Sequence, residues 1–188
     1  MPKPTEMLRE DHEKVKELFE RFEDADEGEQ QEIANTAMQE IQVHSTLEEE
    51  LFYPAAREVL EQESEEEGEV LDESLEEHHV VDLIMAELRK MRSNDERFKA
   101  KFTVMAENVK HHIEEEENEL FPKVEGQLED EDLAQQMMER KGELQQKMQS
   151  GSRSRATKSK SSSGSTSRTR GKRSSGTKGR KKAATGRR

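Results

Sequence analysis

His44-Ser-Thr-Leu-Glu48-Glu-Glu-Leu-Phe-Tyr-Pro54 and His112-Ile-Glu-Glu-Glu116-Glu-Asn-Glu-Leu-Phe-Pro122 echo each other along the chain. In each, a His is followed four residues later by a Glu and ten residues later by a Pro. Positions i and i+4 project from one face of an α-helix, one turn apart, so each stretch offers an imidazole and a carboxylate to the same point. The residues leading into each stretch set where that point lies. Phe98, Phe102, Met105 and Val109 precede His112 in steps of four and three, and Ala37 and Ile41 precede His44 in the same cadence. This is the seam of a helical bundle, so the His and Glu fall in line with the core. An isolated ionised group there is costly unless it is paired, neutralised or bound to a metal.

Two further His follow the same rule. His12 lies in the stripe Leu8, Val15, Phe19, Phe22, and His78 in the stripe Leu71, Val81, Met85, Leu88. Four predicted helices thus each bring one His to an interior face. His79 and His111 are turned from the seam by about 100° and read as surface groups.

The helices are expected over residues 5–24, 29–51, 69–92 and 94–120. Pro54 kinks or restarts the second helix, Glu61 to Gly68 connects it to the third, and Ser93 with Glu96 forms a capping box for the fourth. Asp24-Ala-Asp-Glu-Gly28 faintly resembles a calcium-binding loop. It reads instead as a turn, because Glu29 replaces the loop's Gly and Asn35 its closing Glu. A fifth, peripheral helix is expected from about 130 to 149, with Leu133, Met137, Leu144 and Met148 at helical spacing. Nothing alternates with period two, so the fold class is all-α: an up-and-down four-helix bundle with a peripheral fifth helix and a disordered basic tail. The paired His-to-Pro stretches suggest a duplicated helical hairpin.

Composition divides the chain. Residues 151–188 hold fourteen Lys and Arg and no acid, leaving 17 basic against 44 acidic residues in the first 150. From Ser150 no Val, Ile, Leu, Met or aromatic residue occurs, so nothing offsets the entropy of ordering and disorder is expected. Clustered cations on flexible spacers suit non-specific nucleic-acid contacts through phosphate, although the tail could equally fold onto the acidic body or have no partner. The domain division is therefore 1–125 for the bundle, 126–149 for the peripheral helix and 150–188 for the tail. The absence of Cys excludes disulfides, thiolate metal sites and iron–sulfur clusters. No apolar run approaches the length needed to span a bilayer and no signal sequence is evident, so a cytoplasmic protein is expected.

His12, His44, Glu48, His78, His112 and Glu116 are the candidate metal ligands. Imidazole with carboxylate suits iron, manganese or zinc, and six such groups are too many for one tetrahedral zinc but enough for two ions. Inward carboxylates and His in a four-helix bundle are a known arrangement for di-iron sites. Glu117 is a weaker candidate to orient a ligand, and Tyr53, the only Tyr, could reach the site but reads better as a packing residue.

Asp11-His12-Glu13, the two His-x-x-x-Glu stretches ending at Pro54 and Pro122, and Glu77-His78 between them resemble, as an ordered set, the hemerythrin-like proteins with the HHE cation-binding domain. The resemblance covers about residues 5 to 125. It implies a non-haem di-iron centre of two iron ions, with Glu48 and Glu116 bridging and the four His as terminal ligands, and dioxygen or another small diatomic or peroxide as the external ligand. Oxygen-carrying members have a fifth His one turn after the position of His78, where this chain has Asp82; simple reversible carriage is therefore not implied. The expected function is binding, sensing or responding to oxygen, reactive species or iron. The alternatives are a di-iron enzyme decomposing peroxide or nitric oxide, and a structural protein tethered to nucleic acid by its tail.

Overall fold

The computed structural model describes residues 2–64, 68–128 and 131–160, and every regular element among them is helical. Helix α1 (Pro4–Asp24) starts on Pro4, whose missing N–H costs nothing in a first turn, and the Lys3 N–H donates to Glu6 Oε2 at 3.0 Å. Helix α2 (Glu27–Leu47) is capped by Asp26, whose carboxylate accepts from the N–H groups of Gly28 and Glu29 at 2.9 and 3.0 Å. The acidic segment Asp24 to Gly28 is thus a tight turn and a cap.

The chain does not break at Pro54. It runs from α2 through a π-helical turn, Glu48–Phe52, into α3 (Tyr53–Glu63). Helix α4 (Glu69–Leu88) and α5 (Phe98–Glu115) form the second hairpin, and a second π turn, Glu116–Leu120, leads into α6 (Phe121–Val124). Each π turn adds a residue to the helical repeat and begins on one of the two Glu of the repeated motif. The rotation it introduces turns Phe52 and Tyr53, and Leu120 and Phe121, into the interior.

Three helix ends differ from expectation. Helix α4 stops at Leu88 and α5 starts only at Phe98, without a side-chain cap. The organising residue between them is Asp95, not Ser93 with Glu96. Its carboxylate accepts from the Arg92 N–H at 2.6 Å and its carbonyl from the Phe98 N–H at 2.9 Å. Helix α7 (Glu131–Lys160) continues past the expected end at residue 149. The compact unit spans Met1–Ser152; Arg153–Arg188 is a separate unit, of which the end of α7 is described. The expectations of disorder and nucleic-acid contact concern residues 150–188, and residues 161–188 lie outside the described residues.

Helices α1 and α2 pair, as do α4 and α5, with two apolar layers between them. One layer is aromatic, with Phe22 and Phe102 stacked at 3.8 Å between centroids and Phe19 edge-on to Phe102 at 5.8 Å. The other contains Leu8, Phe52, Leu71 and Phe121, and α7 covers it with Leu133, Ala134 and Met137. The four His and two Glu occupy the level between these layers. Arg140 of α7 donates to both oxygens of Glu50, and Lys141 reaches Asp11 at 2.5 Å.

Phe102→Ala removes a ring buried on both sides and is expected to cost about 3–5 kcal/mol. Denaturant unfolding of the full chain checks this; a loss below about 1 kcal/mol would contradict the packing.

Candidate metal centre

The six candidate residues converge. His12, on α1, and His44, on α2, bring their Nε2 atoms to 3.1 Å, and His78, on α4, and His112, on α5, bring theirs to 3.0 Å. Glu48 lies between the pairs, with Oε1 at 3.0 Å from His44 Nε2 and Oε2 at 3.3 Å from His78 Nε2. Glu116 Oε2 stands 3.2 Å from His12 Nε2 and 3.6 Å from His112 Nε2. All six residues are buried, Glu48 completely. Their ligand atoms fall into two groups compact enough for one ion each: His12, His44, Glu48 and Glu116, and Glu48, His78 and His112.

Every ring turns its Nδ1 outward to a carboxylate. His12 meets Glu117 at 2.8 Å, His78 meets Glu49 at 2.9 Å, His112 meets Glu77 at 2.7 Å, and His44 faces Asp11 at 3.9 Å. An Nδ1–H held this way leaves the Nε2 lone pair facing inward, the tautomer a metal requires. Of these four carboxylates the sequence reading picked out only Glu117. The others sit in a recognisable pattern, one residue before the His on α1 and α4 and one residue after the Glu of each motif.

The interior carries polar atoms without partners. Both oxygens of Glu48, Oε2 of Glu116 and Nδ1 of His44 are buried with no hydrogen bond, although imidazole nitrogens stand close to those oxygens. Buried polar atoms are nearly always satisfied, and the three carboxylate oxygens converge on one point, an arrangement that suits a cationic partner; His44 Nδ1 faces outward to Asp11 instead. The donor set and these orphans together fit cations.

Tyr53 packs in the core, as favoured from the sequence, and also reaches the site. Its phenol donates to Glu116 Oε1 at 2.9 Å and lies 3.4 and 3.5 Å from the Nε2 atoms of His78 and His112. Burial first, then Glu116 and Glu48, push the phenol well above its ordinary range and keep it protonated. Its ring stacks on His78 as that of Phe121 stacks on His12.

Burial alone would lower the pKa of His44, but the carboxylates of Glu48, Asp11 and Glu116 together outweigh it and raise the imidazole to about 10. For His78, Glu48 and Glu49 outweigh burial and raise it to about 9. Glu48 is held well below its usual value, the two His outweighing its desolvation. Protons thus do part of a cation's work at this point, and metal uptake must displace them.

A cavity of about 20 Å³ adjoins the rings of all four His. Its other walls are mainly Val15, Ile41, Val81, Met85, Val109 and Ile113, with the exposed Asp82 at its rim. His79 and His111 are exposed, outside this interior.

The family model of the hemerythrin HHE cation binding domain matches residues 3–124. Among solved structures, a hemerythrin HHE cation binding domain-containing protein from Mycobacterium kansasii is similar at 21% identity and a TM-score of 0.62, over 76% of this chain and 90% of that one. No curated protein matches the chain. With an all-helical bundle, two cation-sized His and Glu groups at its centre and a family match through both hairpins, the chain belongs to the hemerythrin HHE cation-binding family.

Proposed function

We propose that the protein holds two iron ions in a non-haem di-iron centre that binds or senses dioxygen or another small oxidant. The observation that carries this reading is Glu48, a buried carboxylate whose two oxygens face different pairs of imidazoles. A single ion would leave one oxygen and one His pair without a partner; two ions engage both. His12, His44, His78 and His112 would be the terminal ligands, with Glu48 and Glu116 bridging. Manganese and zinc share this donor chemistry, and iron analysis separates them.

When bound, ferrous iron would supply the electrons that a small oxidant takes up. The chain's own side chains select what reaches it. The cavity beside the rings is above the roughly 10–15 Å³ that one water needs, and its mainly aliphatic wall favours small neutral molecules over anions. Asp82 at the rim, in place of a fifth imidazole, gives that edge a negative charge. Tyr53 is committed to Glu116 and retains its proton, which supports ligand binding over proton-consuming turnover.

Purified full-length protein loaded with ferrous iron is expected to contain about two irons per chain, with a visible absorption change on exposure to dioxygen. Glu48→Ala should bring the content to one or fewer. Unchanged content in that variant would overturn the bridging role, and steady consumption of peroxide lost in Glu116→Ala would favour the enzyme.

Metal-free protein should respond to pH with a defined sign. The His44 and His78 contributions are complete below the ordinary value of 6.5 and are lost as pH rises through about 9 to 10. The Glu48 contribution holds above its ordinary 4.5 and is lost at lower pH. The thermal midpoint of the metal-free chain is therefore expected to fall between pH 6.5 and 9, whereas iron-loaded protein should fall less. Scanning calorimetry across that range checks this, and a rising midpoint in the metal-free protein would contradict it.

A further inference from the structure

The cavity beside the His rings is poorly suited to admit a cation, because a hydrated dication would shed water against aliphatic walls. A different opening has the opposite character. A cleft of about 30 Å³ lies between α4 and the π turn after α5. Glu73 and Glu119, both exposed, and half-buried Glu115 line its outer part, with Ser74 further in. Glu116, 1% exposed, also lines the cleft, while its Oε2, which has no hydrogen-bond partner, stands on the side of His12 and His112. Beside the outer part, Glu77, His111 and Glu115 form a third group whose ligand atoms lie within 4.8 Å of one another.

These features form a graded path. A mixed imidazole and carboxylate group stands at the surface, carboxylates follow along the cleft, and an unsatisfied carboxylate of the buried centre ends it. Glu77 also accepts from His112 Nδ1 at 2.7 Å, so the outer group touches the inner set directly. We propose that this cleft is the entrance by which a divalent cation reaches the buried centre, with Glu77, His111 and Glu115 as its first holding point. The assignment rests on reading the centre as a metal site. It separates two traffics: cations enter along the acidic cleft, and small neutral ligands reach the His-lined cavity.

The test is the rate at which metal-free, full-length protein takes up Co2+, followed by the visible absorption of the bound ion. The triple variant Glu73→Gln, Glu115→Gln, Glu119→Gln is expected to fill about tenfold more slowly at low ionic strength, as for loss of electrostatic focusing. The final absorption should match wild type, and the rate difference should shrink as salt is raised. The control Glu17→Gln, Glu20→Gln, Glu23→Gln removes the same charge from α1 and should keep the wild-type rate within about twofold. The single variants Glu73→Gln and Glu119→Gln, each at an exposed position, should each slow uptake about two- to threefold and serve if the triple variant misfolds. Wild-type rates in the cleft variants, or equal slowing in the control, overturn the entrance alone. A wild-type protein that takes up no Co2+ overturns the metal-centre reading together with it.

Discussion

The structure depends on placing four imidazoles and two carboxylates between two apolar layers. Such a layer has no counterpart in an ordinary bundle, because desolvated charge is tolerated only when each group meets an opposite one. The surrounding architecture answers that demand. Outer carboxylates fix the ring tautomers, and α7 fastens Asp11 through Lys141. Helix starts and surface ion pairs matter less, since exposed pairs contribute little.

The two halves of the bundle answer the demand in the same way. His12 pairs edge-on with His44, and His78 with His112, both at 4.7 Å between centroids. Glu117 and Glu49 hold equivalent rings, as do Asp11 and Glu77. The symmetry fails at two positions. Tyr53 occupies the place of Phe121 and brings a phenol to Glu116 where its counterpart offers none. Asp11, one methylene shorter than Glu77, leaves His44 Nδ1 without a hydrogen bond.

Much of this was legible in the sequence because polar residues interrupt a stripe that is otherwise apolar. His12, His44, Glu48, His78, His112 and Glu116 stand out against Leu8, Ile41, Met85 and Val109, and four such interruptions on four helices predict a shared interior point, where the structure brings them together. The supporting carboxylates were harder to find: each adjoins a candidate ligand in sequence, but in a chain with 44 acidic residues that adjacency alone does not separate Glu49 or Glu77 from a solvated face. For Tyr53 the sequence left packing and the site both open, with packing favoured. The π turn before it rotates the following residues inward, and no single propensity announces such a turn. The α5 start was misjudged because Asp95 satisfies the turn that Ser93 was expected to cap.

Each hairpin contributes one carboxylate to the other's half of the interior. Glu48, from the first, faces His78 of the second, and Glu116, from the second, faces His12 of the first. Neither hairpin is therefore chemically self-sufficient, even though each carries the full motif. The acid of each half answers a base of the other, so the packing of one hairpin on the other is also the pairing of their buried charges.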